Sequence, residues 1–207
     1  MLDKLATNQN RNDELPNIEL AEELIKTENQ NGINEIVNGL KAKDKRIAND
    51  CIKVLYEIGE KRPDLIASYY EQFLELLVSK NNRLVWGSMT ALSQIVELES
   101  RNIFKQADKI VFAFHHGSVI TVDNGVSVLA KLCKQDLKYE EHLFPILMQH
   151  LQECRSKEVG QHAERIAICI HENNQRQFVE VLESRVEGLP APQQKRVRKL
   201  LKQIYNI

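Results

Sequence analysis

The chain has 207 residues, 43% of them hydrophobic, with eight glycines, five prolines and a formal net charge of −1. Gly and Pro stand at roughly half their usual share, which argues against a turn-rich all-β sandwich, and the near-neutral charge gives no whole-molecule field that recruits nucleic acid or an acidic membrane. No run of about 18 apolar residues offers a transmembrane span, the first ten residues lack the apolar stretch of a signal peptide, and four cysteines in a chain this long are no disulfide framework, so a soluble cytoplasmic protein is expected.

Residues 1–16 are polar and Asn-rich and are expected to be disordered. Asn17 to about Glu28, preceded by Pro16, reads as a short helix. From there the chain repeats itself with a 37-residue period. Ile33, Ile36, Val37 and Leu40 return as Tyr70, Phe73, Leu74 and Leu77, then as Ala107, Ile110, Val111 and Phe114, then as Phe144, Leu147, Met148 and Leu151. Each set has the i, i+3, i+4, i+7 spacing of one helical face. A second cluster keeps the same step: Ala48, Cys51, Ile52, Leu55 and Ile58; Val85, Ser88, Met89, Leu92 and Ile95; Val122, Gly125, Val126, Leu129 and Leu132; Val159, His162, Ala163, Ile166 and Cys169. A fifth copy, Val197, Leu200, Leu201 and Ile204, comes one residue late, after the loop signal Gly188-Leu189-Pro190-Ala191-Pro192.

Polar breaks separate the two helices of each copy, with Asp44, Asn82 and Ser156 as N-caps of second helices. Pro63 suits a helix start, and Pro145 is a first-turn residue or a kink. The expected fold is all-α: about eleven helices in a single domain over 17–207, stacked as a right-handed solenoid of about five antiparallel pairs of 37–38 residues. Each pair hides its apolar stripe against the next.

At Lys80-Asn81-Asn82-Arg83-Leu84-Val85-Trp86-Gly87-Ser88-Met89-Thr90-Ala91-Leu92 the chain resembles the HEAT/armadillo-like repeat superfamily, and the resemblance extends over about Asn31 to Ile207. Asp44 fits the family's intra-repeat Asp. The Arg expected inside the second helix is replaced by Asn49, Trp86, Asp123 and Gly160, as in a divergent member. The resemblance implies a binding scaffold whose second helices line a concave face.

Catalytic motifs are missing: there is no phosphate-binding Gly-rich loop and no GxSxG elbow. Cys51, Cys133, Cys154 and Cys169 form no CxxC pair and read as reduced, mostly buried thiols. His150 and Cys154, four apart on one helix, would make a three-ligand site with His162. However, His162 occupies the small core position of Cys51, Ser88 and Gly125, so a satisfied inter-helix histidine is expected, with no metal and no cofactor. His115-His116 reads as a helix C-terminal cap. The pairs Glu140-Glu141, Glu22-Glu23 and Glu97-Glu99 read as solvated faces.

Two surfaces remain as binding candidates. The first is the concave row Asn49, Lys53, Trp86, Thr90, Asp123 and Ser127. Repeats about 10 Å apart make it a strip of roughly 20–30 Å, suited to an extended peptide or partner helix. Trp86 is either a half-exposed anchor or buried against the next repeat. The second surface is the basic C-terminal helix: Lys195, Arg196, Arg198, Lys199 and Lys202. The expected function is a non-enzymatic scaffold for another protein or peptide, with no membrane partner. The alternative is a DNA-binding repair protein similar to HEAT-like DNA-alkylation-repair glycosylases, with Trp86 and Asp123 beside the lesion. The mixed signs of the row disfavour nucleic acid.

Overall fold

A computed structural model describes residues 1–205; Asn206 and Ile207, the end of the expected domain, lie outside the described residues. In chain order the α-helices are α1 (Leu15–Thr27), α2 (Gln30–Gly39), α3 (Lys45–Lys61), α4 (Tyr70–Leu76), α5 (Asn82–Ile95), α6 (Ser100–Phe104), α7 (Ala107–His116), α8 (Val119–Gln135), α9 (Leu137–Glu153), α10 (Val159–Ile166), α11 (Gln175–Val186) and α12 (Ala191–Ile204). Four short 3-10 turns accompany them, and no strand occurs among the described residues. The chain divides into two compact units, Met1–Gly125 and Val126–Ile207.

Most of the periodic positions lie in the core; Tyr70, Ala107, Val111 and Val122 are half-buried. Leu55, Leu92, Leu129 and Ile166, one per copy, are all fully buried. So are Ile33, Ile36, Phe73, Leu74, Ile110 and Leu147 on the first helices. In the first unit α3 packs against α1, α2 and α5, while α4 packs against α5. Thus α1, α3 and α5 stack as second helices. In the second unit α9 packs on α10 and α11, and α12 packs on α10 and α11.

Local chemistry sets the ends. Asp44 caps α3 by accepting the Arg46 N–H at 2.9 Å. The cap of α5 is Asn81 rather than Asn82: its Oδ1 accepts the Arg83 N–H at 3.1 Å. Ser156 does not cap α10; Glu158 holds that position without a side-chain cap bond. Pro145 lies well inside α9, because Asp136 caps that helix earlier than the apolar pattern suggested.

The segment 1–16 is ordered, contrary to its composition. Leu5 and Ala6 are buried. The Ala6 N–H donates to Asn17 Oδ1 (3.0 Å), and the Thr7 N–H donates to Asp50 Oδ2 (2.8 Å). The buried Asn17 completes the link by donating to Asp50 Oδ1 at 2.9 Å. The physical reason is tertiary: the turn Leu2–Lys4 packs on α1 and α2, and Leu5 and Ala6 bury apolar surface there.

Candidate functional site

In the first unit α3 and α5 carry four of the six row residues. Lys53 and Tyr56 lie on consecutive turns of α3, and Arg83, Trp86 and Thr90 on consecutive turns of α5. Because α3 and α5 stack, Trp86 meets Tyr56 with ring centroids 5.7 Å apart. The Arg83 guanidinium lies over the indole, 4.4 Å from its centroid, a cation–π contact. Trp86 is therefore neither a free anchor nor fully covered: it is half-buried between Tyr56 and Arg83.

Lys53 departs from the expected exposed row: its side chain is only 11% accessible. It pairs with Glu57 (2.5 Å) and Glu14 (3.2 Å), and its ammonium lies 4.9 Å from the Tyr56 ring centroid. Burial alone would lower its pKa, but these carboxylates outweigh it and hold the ammonium up at about 12. Glu14 also pairs with Arg83. Burial works against its carboxylate, yet Arg83 and Lys53 keep it below the usual glutamate range. An ordered Glu14 joins α3 to α5, a role the expectation of disorder could not foresee.

The polar row members are engaged as well. Asn49 accepts from Asn81 Nδ2 at 2.8 Å. The Thr90 hydroxyl donates to the Trp86 carbonyl (2.9 Å) and accepts from Asn124 Nδ2 (3.0 Å). Asp123 is half-buried at the end of the first unit. Ser127 belongs to the second unit, where its hydroxyl accepts from Arg165 at 2.6 Å. Beside Asn49 opens a cleft of about 430 Å³, lined by Arg46, Asp50, Arg83 and residues from Asn10 to Glu14. Both signs of charge face it. Arg83 Nε is buried with no hydrogen-bond partner among the described residues.

On the C-terminal helix the basic residues are divided. Arg196 forms an ion pair with Glu164, and Arg198 one with Glu187 at 2.9 Å. Gly160 permits the first, since a Cβ there would stand 2.8 Å from Arg196 Cδ. Lys195, Lys199 and Lys202 are exposed on the helix surface.

Other candidates also resolve. Cys51, Cys133 and Cys169 are buried, and Cys154 is half-buried. Burial pushes the Cys51 thiol up to about 12. The neighbouring Cys169 thiol, then burial, hold Cys133 far above the thiol range. His116 Nδ1 lies 2.9 Å from the Phe112 carbonyl, as a cap should. Glu140 is not on a solvated face: it takes His171 Nε2 at 2.8 Å and Asn174 Nδ2 at 2.9 Å. His150, Cys154 and His162 do come together, with one ligand atom of each within 4.8 Å of the others.

No family model and no curated protein matches the sequence. Solved structures do match the fold. An engineered protein superposes with a TM-score of 0.72 at 18% identity, over 99% of this chain and 95% of that one. Computationally designed armadillo repeat proteins for modular peptide recognition give 0.68 at 13% identity, over 90% and 91%. A designed armadillo repeat protein in complex with the peptide (KR)4 gives 0.68 at 13%, over 89% and 85%. The chain thus has an armadillo/HEAT-like repeat fold.

Proposed function

We propose that this chain is a non-enzymatic cytoplasmic scaffold that binds an extended segment of another protein across the second helices of the first unit, the side read as concave. The observation that carries this reading is Trp86. It is a half-exposed indole held in place by Tyr56 and Arg83, next to an open cleft with both charge signs. Large aromatics and arginines fixed before binding lose little side-chain entropy on association and commonly anchor interfaces. Asn49 and Thr90 border the anchor, Lys53 holds Glu14 and Glu57 in place, and Asp123 and Ser127 are the next members of the row in the repeat register. The fold supports the reading, since designed armadillo proteins with it recognise peptides. At this face the cations Lys53 and Arg83 are already ion-paired with Glu14, which disfavours a polyanion there.

The test is selection of binders from a random displayed-peptide library on the full chain, with Trp86 fluorescence as the affinity readout. Selected peptides should lose about 30-fold or more in affinity for Trp86→Ala, measured by calorimetry because the fluorophore is gone. Unchanged affinity would move the binding face elsewhere, with Lys195, Arg196, Arg198, Lys199 and Lys202 next in line. Tight DNA binding that falls steeply with salt would favour the repair-protein alternative.

A further inference from the structure

Within each copy the 37-residue register sets a first-helix position twelve residues before a second-helix position. In the first copy these are Gly39 and Cys51, and they touch: a Cβ on Gly39 would stand 2.4 Å from Cys51 Sγ. The next two copies hold Leu76 with Ser88 and Ala113 with Gly125. In the fourth copy both members are imidazoles. His150 Nε2 lies 2.9 Å from His162 Nδ1, with ring centroids 4.9 Å apart. Cys154, the C-cap of α9 one turn after His150, brings a thiol to the same place. At its register position the earlier copies carry Lys43, Lys80 and Gly117. Three residues able to ligate a metal therefore converge in one copy, where no other copy holds more than one at these positions.

We propose that His150, Cys154 and His162 form a zinc-binding site inside the second unit, with water as the fourth ligand. Zn–N bonds of about 2.0–2.1 Å and a Zn–S bond of about 2.3 Å set ligand-to-ligand distances near 3.3–3.6 Å in a tetrahedral shell. The imidazole nitrogens stand about half an ångström inside that range, and no ligand pair exceeds 4.8 Å. His162 is fully buried, which fixes one ligand, while His150 and Cys154 are half-exposed and give the ion its entry. Arg185 of α11 holds the turn that carries Cys154, donating to the Leu151 carbonyl at 2.7 Å and the Cys154 carbonyl at 2.8 Å. Burial raises the Cys154 thiol above its usual pKa, and the Arg185 charge opposes that by favouring the thiolate. Two imidazole nitrogens and one thiolate sulfur suit zinc rather than magnesium, calcium or manganese, which take oxygen ligands. On binding, the hydrogen between the two rings gives way to the ion. The ring that carried it takes its other neutral tautomer or releases that proton, and the thiol releases its own.

The test uses Co²⁺ as a spectroscopic substitute on the reduced full chain. One equivalent should bind with a thiolate-to-cobalt charge-transfer band that Zn²⁺ abolishes by displacement. Cys154→Ser should lose the band, and His150→Gln should weaken Co²⁺ binding by about 100-fold or more, since even partners of ligands are worth 10–100-fold. Both variants change half-exposed side chains, and circular dichroism checks their folding. If either misfolds, the wild type decides: Zn²⁺ should protect Cys154 from alkylation, read by mass spectrometry. A wild type without the band, a band that survives Cys154→Ser, or alkylation of Cys154 unaffected by Zn²⁺ would each overturn the assignment and leave the histidine pair as a hydrogen bond only.

Discussion

The same register position carries unlike chemistry in the two units. In the first unit it holds Cys51, Ser88 and Gly125, small groups that let first and second helices approach closely. A Cβ on Gly125 would lie 2.9 Å from the Phe114 ring. The second unit puts His162 there, and the partner position supplies His150. Charge is distributed the opposite way. The first unit draws its second helices together through the shielded Lys53–Glu57 pair, with Arg83 and the exposed Glu14 at its edge, whereas the second unit ties α12 to α10 by the more accessible Arg196–Glu164 pair. A repeat thus fixes where the apolar stripe lies, while each copy remains free to fill the small core position and the face with its own polar groups.

Core truncation should leave the two units alike. Leu92→Ala in α5 and Ile166→Ala in α10 are each expected to cost about 2–5 kcal/mol through lost transfer energy and a residual cavity. Urea unfolding checks this, and a variant that unfolds like the wild type would break the proposed equivalence of the copies.

The ion pairs should then separate the units. Lys53→Ala leaves Glu57, only 16% accessible, without this partner and is expected to cost about 1–3 kcal/mol. Arg196→Ala removes a pair whose side chains are 39% and 42% accessible and is expected to cost about 0–1 kcal/mol. Equal losses in thermal melts would contradict the difference drawn between the two faces.

Most of the core was legible in the sequence, because a 37-residue step repeated over four copies leaves little freedom in which residues face inward. The turn asparagine that caps α5 was misplaced by one residue, since Asn81 and Asn82 have the same chemistry and only backbone geometry chooses between them. The order of residues 1–16 was not legible. It depends on the burial of Leu5 and on Asp50 taking bonds from Thr7 and Asn17, contacts between residues far apart in sequence. The surface row was legible as positions but not as partners: nothing local signals that Glu14 reaches Lys53 and Arg83, or that Lys53 is buried. Glu140 was misread for the same reason, since His171 and Asn174 lie some thirty residues on.

Smaller effects sharpen the contrast at the register position. Ser88 Oγ is buried with no hydrogen-bond partner among the described residues, so Ser88→Ala should be neutral or stabilising by up to about 1 kcal/mol. His150→Gln, by contrast, disturbs a buried partner and should destabilise by roughly 1–2 kcal/mol. Chemical denaturation of both variants in metal-free buffer distinguishes them.

Acid should act through Glu14. Its folded pKa lies below the ordinary 4.5, so its contribution is complete above that value and is lost as pH falls through the lower folded pKa. The stability gap between the wild type and Glu14→Gln should therefore be present near neutral pH and close progressively in acid. A gap that widens below pH 4.5 would show that the sign of the coupling is reversed.

Hydrogen–deuterium exchange on the complex with a library-selected peptide tests the binding face most directly. Protection is expected in α3 around Asn49 to Glu57 and in α5 around Arg83 to Thr90, with α12 unchanged. Protection confined to Lys195–Lys202, with α3 and α5 exchanging as in the free protein, would contradict the assignment of the interaction face to Trp86 and its neighbours.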